Sequence, residues 1–130
     1  MTGVQTCALP ILFQTGVALA EALTIARANG VDGKVLFETL TKGSADSFAL
    51  RNHGLKAMLP GAFPERAFST DYALKDLSYA IQMADEAGVP ALGADVAREL
   101  MERAVELGHG KEYWPVLLRA IEDATGKKTG

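Results

Sequence analysis

The chain has 130 residues, 48% hydrophobic and 22% charged, with a formal net charge of -3 and a sequence pI near 5.3. This is the size of one domain with enough apolar content for a real core, and it excludes disorder. An acidic balance argues against broad binding to nucleic acid or anionic membranes, and a single cysteine, Cys7, excludes an internal disulfide framework. The two histidines, His53 and His109, have no cysteine partner at a zinc-binding spacing, so no metal is expected. The default compartment is the cytoplasm.

The opening residues 1–11, MTGVQTCALPI, have no helical period. They carry no Lys or Arg and too short an apolar stretch for a signal peptide. The string resembles a translated sequencing adapter, so the expectation is an artefactual segment, with native sequence from near Leu12. The run after Ala8 is interrupted by Pro10, Gln14, Thr15 and Gly16, and no membrane span is expected.

From Leu12 the chain reads as helix after helix. The first, over 12–29, carries Val17, Leu19, Ala20, Leu23, Thr24 and Ile25 on its apolar side and stops at Gly30. Its few charges suggest a central helix buried on most sides. Asp32 is a candidate N-cap for a helix over 33–41, with Val35, Leu36 and Leu40 inward and Gly43 beyond its end. A helix over 45–58 is weakened by Gly54, and Pro60, Gly61 and Pro64 mark a loop. Ser69 or Thr70 starts the clearest helix, which ends before Gly88, with Leu74, Leu77, Ile81 and Ala84 as one stripe. After Pro90, the stripe Leu92, Val96, Leu100, Ala104 and Leu107 predicts another helix, broken by Gly108 and Gly110. The last, over 113–124, has Pro115 in its first turn and Leu117, Leu118 and Ile121 inward. The tail 127–130 is expected to fray. No β alternation occurs, so the fold class is all-α with about six helices.

Chemistry concentrates in FSTDYALKDLSYAIQMADEAGVP, from Phe68 to Pro90. Taken alone, the pair Lys75 and Asp76 is ordinary solvated charge on a helix. Its setting is more specific: Phe68-x6-Lys75-Asp76-Leu77, then Ala84-x3-Gly88-x-Pro90. With ALAEALTIARANGVDGKVLFETLTKGSADS before it and ELMERAVELGHGKEYW after it, this order resembles the C-terminal domain of the β-hydroxyacid dehydrogenases. These include 3-hydroxyisobutyrate dehydrogenase and 2-hydroxy-3-oxopropionate reductase, and the helical domain is of the 6-phosphogluconate dehydrogenase-like type. The resemblance covers about 12–126.

The resemblance implies an N-terminal Rossmann domain that binds NAD or NADP, and a helical domain that closes the cleft on a small hydroxyacid and mediates homo-oligomer (dimer or tetramer) contacts. It gives Lys75 a place at the cofactor or substrate edge, where a cation suits phosphate, ribose or carboxylate. Asp76 would orient that lysine or cap a neighbouring amide, and Phe68 would pack beside the cofactor, with a plain core role an equal alternative. Ser44 and Ser47 match a polar loop. His53 and His109 read as surface or loop residues, and Trp114 as a helix anchor. The family's catalytic lysine and asparagine fall just ahead of Leu12, where VQTCALPI offers neither, and there is no GxGxxG turn. The expectation is therefore an inactive helical half of a dehydrogenase. The alternatives are a standalone dimerisation or partner-binding module, and a regulatory relative that kept the fold.

Overall fold

The computed structural model describes residues 3–125, and over these it is all-helical. In chain order come α1 (Gly3–Ala28), α2 (Gly33–Leu40), a π-helix (Leu50–Met58), α3 (Thr70–Glu86), α4 (Leu92–Glu106), a 3-10 turn (Trp114–Leu117) and α5 (Leu118–Thr125). The tail expected to fray lies outside the described residues.

α1 is the axis of the fold, packed against every other element. Val17, Leu19, Ala20, Leu23 and Thr24 point inward, as expected, Phe13 joins them, and Ile25 is exposed. The helix begins nine residues ahead of the expected start and runs through Pro10. Pro10 cannot donate its main-chain bond, but Thr6 is buried and Leu9 and Leu12 pack on the core. Once the central turns are fixed, each further residue adds one hydrogen bond at little extra entropic cost. The most apolar stretch of α1 has a mean hydropathy of 1.6, long and apolar enough by composition to cross a membrane, with 39% of it buried here. The sequence reading took this run as interrupted, but Gln14, Thr15 and Gly16 carry no charge and do not break the helix. At its end Gly30 takes φ 75°, and the Val31 amide donates to the Ala26 carbonyl at 2.8 Å. That closes the left-handed cap expected there. α3 and α4 end with the same bond, Val89 to Ala84 and His109 to Ala104.

α2 starts where expected. The Asp32 carboxylate accepts from the Lys34 amide at 2.8 Å and, more weakly, from Val35 at 3.4 Å. Its buried anchor is Phe37, and Val35 points to solvent. The expected helix over 45–58 is a π-helix in its main part. The Leu59 amide reaches back five residues to the Gly54 carbonyl, and Gly54 lies against Phe37 and Leu19. The wide turn lets the main chain at Gly54 approach closely where a side chain would crowd.

Ser69 caps α3, accepting from the Tyr72 amide at 3.2 Å. Ala73, Leu77, Ala80 and Ile81 form its buried face, and Leu74 and Ala84 flank it. α4 departs from expectation. Its buried face is Ala94, Ala97, Met101 and Ala104, while Leu92 and Val96 are 72% and 49% exposed. Two stripes at helical spacing lie side by side on this helix, and packing chose the one with smaller side chains, which lets α4 lie close to α1 and α3. The C-terminal element is split: Pro115 sits in a 3-10 turn, α5 follows, and Leu117 and Leu118 are fully buried.

Trp114 closes the core. It is fully buried, and Phe13 meets it edge-on at 5.0 Å. A Cβ at Gly16 would overlap its six-membered ring, so α1 can touch Trp114 only through glycine. The expected anchoring role of Trp114 is the one it has.

Candidate functional site

The candidate site residues lie along α3 and the strap that leads into it. The strap is an antiparallel pairing of Ser69 with Tyr113. Trp114 donates to the Phe68 carbonyl at 2.9 Å, Thr70 to the Glu112 carbonyl at 2.9 Å, and Asp71 to the Gly110 carbonyl at 2.9 Å. The Thr70 hydroxyl adds a second bond to Glu112 at 3.1 Å. Gly110 is tight against Asp71: a Cβ there would sit 2.8 Å from the carboxylate. These bonds fix where α3 begins and where Phe68 sits. Phe68 is half-buried, 6.1 Å from the Phe13 ring, so one side belongs to the core and the other reaches the surface.

Lys75 and Asp76 part company. A step of one residue turns a helix by about 100°. Lys75 is exposed and lies diametrically away from the buried stripe, between Tyr72 and Tyr79, which are 66% and 47% exposed. Asp76 is half-buried, on the flank shared with Ala80 and Met83. That flank meets α1, because Ala80, Met83, Cys7 and Pro10 line one apolar pocket of about 300 Å³. Among the described residues neither Lys75 nor Asp76 makes a side-chain hydrogen bond or ion pair. The arrangement is an unpaired cation on an aromatic-flanked ridge.

Beside that ridge runs an open groove where Thr6 of α1 faces Tyr79, Gln82, Met83 and Glu86 of α3. The first turns of α1, where the family pattern would set its lysine and asparagine, therefore lie next to the helix of Lys75. The residues there are Thr6, Cys7, Ala8 and Leu9, neither lysine nor asparagine.

Other expectations resolve differently. Ser47 serves as a local cap, its hydroxyl accepting from the Leu50 amide at 3.0 Å. Beside it, Asp46 and Arg51 form a bidentate pair that holds the Asp46 carboxyl below, and the Arg51 guanidinium above, their ordinary values. His109 is in a turn, half-buried, with Nδ1 2.7 Å from Glu112. His53 is not at the surface: it is 8% exposed. Its Nδ1 lies 2.6 Å from the Tyr113 hydroxyl, and its ring packs on Trp114 at 4.9 Å and Phe48 at 5.9 Å. Burial lowers the imidazole pKa and raises that of the Tyr113 phenol. The partners are 60 residues apart, beyond the reach of any local pattern. No cluster of three or more His, Cys, Asp or Glu that could hold a metal occurs among the described residues.

Residues 8–120 match the family model described as "NAD-binding of NADP-dependent 3-hydroxyisobutyrate dehydrogenase". The chain belongs to this family. Similar proteins include 2-(hydroxymethyl)glutarate dehydrogenase of Eubacterium barkeri, 28% identical over 84% of this chain and 36% of that protein. The oxidoreductase YkwC of Bacillus subtilis is 28% identical over 71% of this chain and 31% of its own length. Two solved structures share the fold. One is 3-hydroxyisobutyrate dehydrogenase of Salmonella typhimurium, with TM-score 0.82, 22% identity, and coverage of 89% of this chain and 40% of that one. The other is 3-hydroxyisobutyrate dehydrogenase of Mycobacterium tuberculosis, described with L-serine, with TM-score 0.80, 20% identity, and coverage of 91% and 42%. The chain thus spans roughly a third of the curated relatives' length.

Proposed function

We propose that this chain is the helical half of an NAD(P)-dependent dehydrogenase acting on a small β-hydroxyacid of the 3-hydroxyisobutyrate class, in the cytoplasm. The observation that supports this most directly is Lys75: on a chain of this family, the Lys-Asp-Leu lysine is exposed, unpaired and centred on a ridge beside the start of α1. In this reading Lys75 faces an anionic part of the cofactor or substrate, Phe68 packs at the cofactor's edge, and Asp76 acts from the α1 side of the same helix. The bound nicotinamide would supply or accept the hydride. Binding it tightly belongs to a Rossmann domain, for which this chain has no Gly-rich turn.

By itself the chain is catalytically inert in this reading. A positioned general acid or base contributes about 10²–10⁴-fold to rate, and residues 1–12 include neither Lys nor Asn. The test is to assay oxidation of 3-hydroxyisobutyrate and glycerate with NAD and NADP. Measurable turnover by this chain would overturn the inertness. The binding role is tested by following the backbone resonances of α3 while NADP(H) is added: millimolar-range shifts at the neighbours of Lys75 that are lost in Lys75→Ala support it, and no shift at any residue of α3 removes it.

A second reading rests on exposed apolar side chains. Val4 and Ile11 of α1, Met83 of α3 and Leu92 and Val96 of α4 remain exposed. They suit burial against a second copy, as a homodimer or as a helical partner-binding module. Sedimentation velocity separates the cases. A monomer up to high micromolar concentration excludes self-association, and a dimer broken by Leu92→Glu supports it. Lys75→Ala leaves a module of this kind unaffected.

A further inference from the structure

We infer that His53 and Tyr113 form a proton-sensitive latch joining the π-helix to the strap that sets Phe68 and the start of α3. Tyr113 serves two contacts at once. Its main chain pairs with Ser69 and donates to the Pro64 carbonyl at 3.1 Å, while its hydroxyl meets His53 Nδ1 at 2.6 Å. The next residue, Trp114, packs on the His53 ring and donates to the Phe68 carbonyl. A shift of the His53 ring is therefore felt at Tyr113 and Trp114, and through their main-chain bonds at Phe68.

The latch is built for a neutral imidazole. With its proton on Nε2, the neutral ring accepts from the phenol at Nδ1. Protonated Nδ1 can only donate, which reverses the bond and leaves the Tyr113 hydroxyl hydrogen to find another acceptor. Among the described residues, no carboxylate hydrogen-bonds to His53 to compensate the charge. The side chains around His53 are Phe48, Tyr113 and Trp114, and the neighbouring faces of α1 and α2 bring Leu19 and Phe37 against Gly54. The charged residues of the π-helix, Arg51 and Lys56, are exposed and engaged with Asp46 and Asn52. Among the described residues, Tyr113 is thus the one titratable side chain hydrogen-bonded to or stacked on the His53 ring. A buried cation with a neutral partner and no counter-ion is costly, and burial already lowers the His53 pKa. The folded state therefore binds this proton less readily than an opened one. The latch is fully closed above about pH 6.5, the ordinary imidazole value, and loosens as the pH falls below it.

The experiment is amide hydrogen exchange from pH 7.5 to 4.5, expressed as protection so that intrinsic exchange cancels, on the wild-type chain, His53→Gln and Tyr113→Phe. One linked proton raises the opening constant up to about tenfold per pH unit. The expected result is that protection of Leu50–Met58, Thr70 and Trp114, whose amides are bonded across the strap, falls together on acidification, with α4 amides as an unaffected reference, and that His53→Gln abolishes the fall. Tyr113→Phe is expected to lower protection at the same amides already at pH 7.5. Two results would overturn the inference: an equal fall in His53→Gln, or protection at Thr70 and Trp114 that stays constant while the His53 ring titrates. Should His53→Gln not fold, the Tyr113→Phe profile with direct titration of the His53 ring decides between the same outcomes.

Discussion

Two regions of this helical domain obey opposite rules. In the junction of α1 with the Trp114 turn, Phe13, Gly16, His53 and Trp114 are buried and in contact, and a single added carbon at Gly16 collides with a ring. Along the outer ridge of α3, Tyr72, Lys75 and Tyr79 are exposed. The first region determines whether the domain exists. The second is free to meet a ligand because the fold does not depend on it. A helix can serve both because its inward and outward stripes are set by different residues of one sequence.

Substitutions sharpen the contrast in descending order. Trp114→Ala empties the largest fully buried side-chain volume in the core and is expected to cost about 3–5 kcal/mol, read by chemical denaturation. Should Trp114→Ala lose less than 1 kcal/mol, the junction does not hold the fold together. Gly16→Ala would gain about 1 kcal/mol of helix propensity in an isolated helix, yet the overlap with Trp114 costs about 1–3 kcal/mol or more. A net loss of stability is the expected sign, and a gain would mean that the ring moves aside. Asp32→Ala removes the cap of α2 and is expected to cost about 1 kcal/mol, measured as a lower denaturation midpoint at unchanged slope. At the other end, Lys75→Ala should change stability by no more than about 0.5 kcal/mol, since Lys75 lies near no cap, cavity or buried partner. Lys75→Ala should nevertheless remove the NADP(H)-dependent shifts. A large stability loss for Lys75→Ala would erase the distinction between the two regions.

Local chemistry was legible wherever one residue decides one bond. The sequence marks Asp32 as a cap and Gly30 as a stop, and they are, while it leaves the start of α3 between Ser69 and Thr70 and the cap is Ser69, because capping depends on a side chain or a φ value within a few positions. The α3 stripe was legible for a similar reason: it has one dominant apolar face. α4 offered two, and the sequence reading took the larger side chains, Leu92 and Val96, where packing buried Ala94 and Ala97. The likeness to the dehydrogenase family was carried by the order of motifs, and the match over residues 8–120 agrees with it.

The sequence by itself determined an all-helical domain, its main helix boundaries after Leu12, and the family to which its motifs belong, because composition, period and caps act over a few residues. Only the tertiary structure decided that α1 extends back to Gly3, that Lys75 and Asp76 face different ways, and that His53 is buried against Tyr113. These depend on which helix surfaces come into contact. His53 and Tyr113 are 60 residues apart, and whether they touch is set by how the elements between them pack around α1.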